Sequence, residues 1–257
     1  MAVCLANKAK GRGLEGIGSN LISNRKSQYA NKMKYTYYGQ SSFLLETDNI
    51  KLLFDPFISQ NPLAKNIDIT KIEADYILIS HGHGDHVGDL VALAKQTKAT
   101  VVAMPEVCDW LAKQDVENVH PMNYGKFTFD FGVVRMVWAT HSAGLPDGSY
   151  GGNPAGFVLE LDSKQIYFAG DTGLTVEMKL LSELYKLDYA ILPIGGNYTM
   201  DVDDAVIAAN YVNCDKVIGV HYDTFPVIEI DSKVAIERFK RAQKQLLLPK
   251  VGETITL

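Results

Sequence analysis

The placement of histidines constrains this chain more than any other feature of its sequence. Five of the six histidines directly follow segments predicted to be β-strands, namely His81, His83, His86, His141 and His221. Three of them lie with Asp85 in the hexapeptide HGHGDH, between the predicted strand Tyr76–Ser80 and an amphipathic helical stretch. Protonated and buried imidazoles would repel one another, whereas a divalent cation uses neutral imidazoles and ionised carboxylates together. The sequence therefore predicts a metal site.

The spacing of the candidate ligands predicts two metal ions. Residues i and i+2 of an extended segment point the same way, so His81 and His83 are predicted to bind one ion together. Asp85 and His86 lie where the chain turns into the helix and are predicted to face a second ion. The remaining predicted ligands come later in the chain: His141 for the first ion, His221 for the second, and Asp171 as a carboxylate bridge between both.

The charge of such a centre favours hydrolysis. Two divalent cations, the carboxylates of Asp85 and Asp171 and a bridging hydroxide sum to roughly +1, so the centre stays electrophilic. Two cations about 3.5–4 Å apart lower the pKa of a shared water from ~16 towards ~7 and stabilise an oxyanion. We therefore predict hydrolysis of an ester, lactone or phosphoester bond of a small molecule, with Asp85 also relaying a proton. Zn²⁺ or Mn²⁺ is the expected metal, with Fe²⁺ and Ni²⁺ as alternatives.

The periodicity of apolar residues predicts an α/β fold. From Met33 onward, short strands come first as a meander, and strands then alternate with amphipathic helices in two similar halves. This order is typical of two sheets packed face to face with helices on their outer surfaces. A helix from Lys233 to about Leu246 and a strand over Val251–Leu257 are predicted to close the chain. His120 is predicted to lie in a loop or on the surface and receives no role.

The first 32 residues differ from the rest. Of the chain's 25 basic and 30 acidic residues, six basic and one acidic fall here, so this segment carries a net charge of +5 and residues 33–257 carry −10. We predict that 1–32 is an appendage to one domain; a start at Met33, an added leader and an organelle-targeting peptide are the alternatives. Gly11–Gly16 matches the G-x-G-x-x-G pattern of dinucleotide-binding turns. The preceding MAVCLANKAK is too charged for the buried strand that such a turn requires, so no cofactor is assigned to it.

Composition argues against several classes of partner. The formal charge is −5, which favours neither nucleic acid nor an anionic membrane. The three cysteines are too few and too scattered for a disulfide framework, and no apolar run reaches the ~20 residues of a membrane span. We expect a cytoplasmic protein with a small-molecule partner and leave the oligomeric state open, a homo-oligomer included.

Taken in order, these motifs resemble those of the metallo-β-lactamase superfamily. The matching features are Asp55 after a strand, H-x-H-x-D-H at His81–His86, His141, Asp171 in GDTG, and His221. The resemblance implies a four-layer αββα sandwich with a binuclear centre at one edge of the sheets and the two ligand sets given above. It also implies that Asp55 orients the ligands rather than binding metal; the alternative is a simple turn at Asp55-Pro56.

Within the superfamily, the segments HGHGDHVGD, PIGGNYTMD and HYDTFP look like small metal-dependent hydrolases related to the ascorbate-6-phosphate lactonase group. His83 argues against the di-iron flavoprotein oxidases, which carry a glutamate at that position. Four residues that flank the motifs are expected to contact substrate or the developing oxyanion: Thr172, Asn197, Tyr198 and Tyr222. The alternatives are that Asn197 stabilises a turn and that Tyr222 packs as an amphipathic wall. Two other functions stay open, namely a metal-bearing binding or regulatory protein without efficient turnover and redox chemistry at a mononuclear iron.

Overall fold

The computed structural model describes residues 33–257, which form fourteen strands, six α-helices and two short 3₁₀ helices. The strands are β1 Lys34–Gly39, β2 Ser42–Glu46, β3 Lys51–Phe54, β4 Tyr76–Leu78, β5 Thr100–Ala103, β6 Val119–Pro121, β7 Lys126–Phe129, β8 Gly132–Trp138, β9 Ala155–Leu161, β10 Lys164–Phe168, β11 Tyr189–Pro193, β12 Lys216–Val220, β13 Gln245–Leu247 and β14 Thr254–Thr256. The α-helices are α1 Gly84–Val87, α2 Leu90–Thr97, α3 Pro105–Ala112, α4 Met178–Leu184, α5 Val202–Tyr211 and α6 Ser232–Arg241, and the 3₁₀ helices are Ile69–Lys71 and Pro226–Ile228. The predicted appendage, with its Gly11–Gly16 motif, lies outside the described residues.

The strands form two seven-stranded mixed sheets. Sheet 1 has the order β14-β1-β2-β3-β4-β5-β6 and sheet 2 the order β13-β12-β11-β10-β9-β8-β7. In each sheet a run of antiparallel pairs gives way to a run of parallel pairs, at β3–β4 in sheet 1 and at β10–β11 in sheet 2. The predicted similarity of the two halves is therefore visible in their topology.

Alternation along the central strands explains why the sheets are covered on both faces. On β11, Tyr189 and Ile191 belong to the apolar cluster between the sheets, whereas Ala190 and Leu192 pack with residues of α4, α5 and α6. Successive side chains of a strand point to opposite faces, so a strand that is apolar at every position needs a partner on each side. This arrangement confirms the predicted sandwich of two sheets with helices outside.

Aromatic rings hold the two sheets together. Phe43 and Phe54 of sheet 1 stack with ring centroids 4.4 Å apart, and Phe168 of sheet 2 meets them edge-on at 5.1 and 5.6 Å. All three side chains are fully buried. Edge-to-face contacts of this kind add about 0.5–1.5 kcal/mol each beyond the burial of apolar area.

The sequence-based prediction was wrong about two segments. His120 lies in the edge strand β6 and not in a loop, although it is half-buried at the surface as the alternative prediction had it. The centroid of its ring lies 4.3 Å from that of Phe127 and 4.8 Å from that of Phe129. The helix expected to reach Leu246 ends at Arg241, because residues 245–247 pair in parallel with β12. Strands of three residues carry too few side chains for their alternation to be read from sequence.

None of the helices in residues 33–257 combines the length and the apolar character needed to cross a membrane.

Candidate metal centre

The structure brings all seven predicted ligands to one edge of the two sheets. β3 and β4 run parallel in sheet 1, and β10, β11 and β12 run parallel in sheet 2, so the loops after these strands leave the sandwich on the same side. His81 lies in the loop after β4, Asp171 in the loop after β10, and His221 directly after β12. Ligand sites in sheets of this type lie at the carboxyl ends of the strands.

The first ligand group comprises His81, His83 and His141. His81 Nε2 lies 2.9 Å from His83 Nδ1, and the ring of His141 stands 5.1 Å from each of the other two rings, nearly perpendicular to both. One nitrogen from each of the three imidazoles lies within 4.8 Å of the other two, close enough to share one ion. This group matches the predicted first ligand set.

The second ligand group comprises Asp85, His86, Asp171 and His221. His86 Nε2 lies 3.7 Å and His221 Nε2 3.8 Å from Asp85 Oδ2, in a pocket where both imidazoles are buried. The short helix α1 holds Asp85 and His86, and its first turn starts at Gly84. This group matches the predicted second set together with the bridging carboxylate.

Asp171 lies between the two groups. Its Oδ2 is 3.0 Å from Nε2 of His221 and 3.2 Å from Nε2 of His86, both in the second group. The same oxygen is 3.7 Å from Nε2 of His141 and 4.0 Å from Nε2 of His81, both in the first group. One carboxylate oxygen therefore faces four imidazoles from two different ligand groups.

The polar atoms at the centre fit divalent cations. His86 Nε2 is buried and makes no hydrogen bond, although Asp171 Oδ2 lies 3.2 Å away. A buried nitrogen without a partner costs about 1–3 kcal/mol, and coordination by a cation satisfies it. The donor set of imidazoles and carboxylates is the one that transition metals prefer.

The charges of the ligands depend on one another. Burial lowers the pKa of His81, His83 and His141, so these imidazoles are neutral and ready to donate a lone pair. Burial acts in the same direction on His221, but the carboxylates of Asp171 and Asp85 together outweigh it and raise the pKa of His221 to about 9. Burial disfavours the ionised form of Asp171, but His221 and His86 outweigh it and hold the pKa of this carboxyl well below its usual range.

Asp55 contacts His86 on the side of the ring that faces away from the other candidate ligands. It is fully buried directly after β3, and its Oδ2 lies 2.9 Å from Nδ1 of His86. Ser80, which precedes the histidine loop, donates to the same carboxylate from its backbone N–H (2.7 Å) and its hydroxyl (2.6 Å). Asp55 therefore orients His86 through the ring nitrogen that faces away from Asp171, an arrangement typical of histidine ligands in metal sites.

Gln40 is a site residue that sequence reasoning missed. It lies in the turn between β1 and β2 with φ +52°, its side chain is fully buried, and its Nε2 donates to Asp85 Oδ2 at 2.8 Å. The backbone carbonyl oxygen of Gln40 also accepts the N–H of His221 at 2.8 Å. The one available signal was a glutamine, instead of glycine or asparagine, in a tight turn that requires positive φ.

An open cavity of about 590 Å³ gives access to the ligands. It is lined by His83, Asp85, His141, Ser142, Asp171, Tyr198, His221, Phe225 and Val227. Its volume falls within the range of small-molecule sites, about 300–1,000 Å³.

Of the four residues expected to contact substrate, Tyr198 alone lines this cavity. Thr172 is fully buried, and its hydroxyl accepts the N–H of Thr140 at 2.9 Å and donates to the carbonyl of Gly173 at 2.7 Å. Tyr222 stacks on Tyr37 within the fold, with ring centroids 6.4 Å apart. Asn197 is an exposed turn residue with φ +57°. The hydroxyl of Thr172 thus joins the loops that bear His141 and Asp171.

A family model described as "Beta-lactamase superfamily domain" matches residues 51–222, a stretch that begins just before Asp55 and ends just after His221. The chain belongs to the metallo-β-lactamase superfamily. All seven candidate ligands fall within the matched region.

Curated relatives place the chain within one group of this superfamily. A protein of Flavobacterium johnsoniae described as a "UPF0173 metal-dependent hydrolase" is 50% identical over 226 residues, which cover 88% of this chain and 100% of the relative. A protein of Methylacidiphilum infernorum with the same description is 48% identical over 226 residues, with the same coverage. The chain therefore belongs to the UPF0173 group of metal-dependent hydrolases.

Solved structures share the superfamily fold. Igni18, described as a metallo hydrolase from Ignicoccus hospitalis, is 32% identical, with a TM-score of 0.79 over 88% of this chain and 98% of its own. CmlA, a diiron β-hydroxylase from Streptomyces venezuelae, superimposes with a TM-score of 0.67 over 88% of this chain and 54% of its own, at 12% identity. The likeness to CmlA concerns the fold alone, because one fold supports several chemistries.

Shortening Gln40 is expected to weaken metal binding. Gln40→Asn keeps a residue that tolerates positive φ but withdraws the amide from Asp85, so metal affinity should fall by about 10–100-fold, as for other partners of metal ligands. Metal titration by isothermal calorimetry measures the change. Gln243→Asn is the matched control, because Gln243 has φ +60° in an exposed turn outside the site. Unchanged affinity in Gln40→Asn would contradict the role given to this hydrogen bond.

Proposed function

We propose that the protein is a binuclear metal-dependent hydrolase that cleaves an ester, lactone or phosphoester bond of a small molecule. His81, His83 and His141 would hold one ion, and Asp85, His86 and His221 the other, with Asp171 shared between them. When bound, the two ions supply an acidified water and a positive field for the developing oxyanion. Zn²⁺ and Mn²⁺ suit these ligands best.

The observation that supports two ions most strongly is the position of Asp171 Oδ2. It lies 3.0–4.0 Å from four imidazole nitrogens that belong to two separate groups. Seven ligands exceed the coordination number of a single ion, because one metal with imidazole and carboxylate ligands usually binds four to six donor atoms. A carboxylate placed between two neighbouring cations reduces the repulsion between them.

The chain's own residues have distinct tasks in the proposed reaction. Asp55 keeps His86 in one tautomer through its 2.9 Å contact with Nδ1. Gln40 holds Asp85 through its 2.8 Å hydrogen bond to Oδ2, the oxygen that also faces His86 and His221. Asp85 lines the cavity and would pass a proton to the leaving group.

Metal analysis of paired variants tests the binuclear arrangement. We expect two ions per chain in the untreated protein, and loss of one ion in His83→Ala and in His221→Ala, because each removes a ligand from a different group. A chelator should abolish turnover of an ester, lactone and phosphodiester panel, and Zn²⁺ or Mn²⁺ should restore it. Elemental analysis and product assays measure both.

His120→Ala is the control for these variants, because His120 packs between aromatic rings outside the cluster and should retain two ions. Full occupancy by two ions with no turnover of any substrate would favour a metal-bearing binding protein. One iron per chain would favour redox chemistry instead.

A further inference from the structure

The outer wall of the metal-site cavity is apolar. Three side chains form it, Tyr198, Phe225 and Val227, and we call them the apolar wall. Tyr198 and Val227 are each 57% exposed, although their apolar surface would gain from burial. Large apolar groups that remain exposed beside a polar cavity floor are typical of ligand contact.

The segment that carries Phe225 and Val227 is held in one conformation. The N–H of Ile228 donates to the carbonyl of Phe225 at 3.0 Å, and the N–H of Asp223 donates to the carbonyl of Ile228 at 3.0 Å. The carboxylate of Asp223 accepts the N–H of Ile230 at 2.9 Å, and Ile228 is fully buried. Because these hydrogen bonds fix the backbone that carries Phe225 and Val227, little backbone entropy is lost there when a ligand packs on them.

The described part of the cavity lining contains neither lysine nor arginine. It does contain the carboxylates of Asp85 and Asp171. Proteins bind phosphate and carboxylate groups of substrates chiefly through arginine and lysine. A charged group remote from the scissile bond would therefore find no partner on the protein here, and an uncharged substrate is favoured.

We infer that the substrate is an uncharged carboxylic ester or lactone whose hydrocarbon substituent packs on the apolar wall. This inference rests on the proposed function and narrows it, because it excludes phosphorylated substrates. In the reaction, a water oxygen bonds to the acyl carbon and the acyl C–O bond breaks. One proton of the water passes to the released alkoxide and the other leaves with the carboxylic acid, which ionises. A cavity of about 590 Å³ accommodates a medium-length chain.

A series of γ-lactones tests the inference. We expect kcat/KM of the zinc- or manganese-loaded enzyme to rise about two- to fourfold per methylene as the alkyl substituent grows from one to five carbons. A γ-lactone of matched length that ends in a phosphate should react at least about tenfold more slowly than its alkyl counterpart. Val227→Asp should flatten the rise to less than about twofold over the whole series. Val234→Asp, which changes a valine of 56% exposure on α6, should keep the wild-type gradient.

Competitive inhibition of the wild-type enzyme by straight-chain carboxylates from acetate to hexanoate is a second measurement of binding to the apolar wall. It tests the inference even if Val227→Asp is poorly folded. Inhibition should strengthen with chain length. A flat lactone series, or a preference for the phosphorylated lactone, would overturn the inference while hydrolysis itself still supports the proposed function. Failure of the metal-loaded enzyme to hydrolyse any ester, lactone or phosphoester would overturn both.

Discussion

Asp171→Asn is expected to lower kcat/KM by about 10³-fold or more and to reduce metal content from two ions to at most one per chain. The reason is the place of this carboxylate between the two ligand groups, with Oδ2 3.0 Å from His221 Nε2 and 3.7 Å from His141 Nε2. An amide of the same shape lacks the negative charge needed beside the two proposed cations. Loss of several kcal/mol of metal-based stabilisation corresponds to a rate change of this size.

Elemental analysis and hydrolysis of the best substrate measure both parts of this prediction. Asp162→Asn is the matched control, since Asp162 is exposed in the turn between β9 and β10 with φ +53°, which asparagine tolerates. The control should keep two ions and wild-type activity. An Asp171→Asn enzyme that retains two ions and more than about a tenth of the activity would refute the shared-carboxylate assignment.

Asp55→Asn is expected to reduce the free energy of unfolding by about 3–5 kcal/mol, because it disrupts a buried charged network. The amide still accepts the N–H of Ser80, but its NH₂ group cannot accept from the Ser80 hydroxyl or from His86 Nδ1, contacts of 2.6 and 2.9 Å in the native protein. The backbone itself is not strained by the change, since Asp55 has φ +40° and asparagine adopts this region readily.

Urea unfolding of the metal-free proteins measures this loss without a contribution from metal binding. For a domain of this size, the melting temperature should fall by roughly 6–20 °C. Asp115→Asn provides the control, because Asp115 also has positive φ, +58°, but is exposed. Equal stability of Asp55→Asn and wild type would show that the network contributes little to folding. Metal affinity of Asp55→Asn should also fall, since His86 loses its orienting partner.

Both predictions concern residues that the sequence pointed to, and the reason is local. HGHGDH, GDTG and the histidines after β8 and β12 are short patterns at strand ends, and the carboxyl ends of parallel strands share an edge. The meeting of the seven side chains was therefore predictable, while their ligation of metal stays a prediction. The two covered sheets were predictable for a similar reason, since strands such as β11 are apolar at every position.

Other features depended on contacts between distant parts of the chain. Thr172 follows Asp171 directly, and only the tertiary structure reveals that its hydroxyl turns inward to Thr140, 32 residues earlier. A residue next to a ligand in the sequence lies in the same loop, but its side chain can point elsewhere. The direction is set by packing. The same holds for Tyr222, which follows His221 and stacks on Tyr37 of β1.

By itself, the amino-acid sequence determined the candidate metal ligands and most of the strands and helices, the short strands β6 and β13 excepted. Ligand chemistry and apolar alternation are properties of the residues and their immediate neighbours. Only the tertiary structure decided that Gln40 reaches Asp85, 45 residues further along the chain, and that Tyr198, Phe225 and Val227 form one wall of the cavity. These contacts follow from strand pairing and loop packing over long separations. No local sequence pattern predicts such contacts, because they depend on how all the strands, helices and loops pack together.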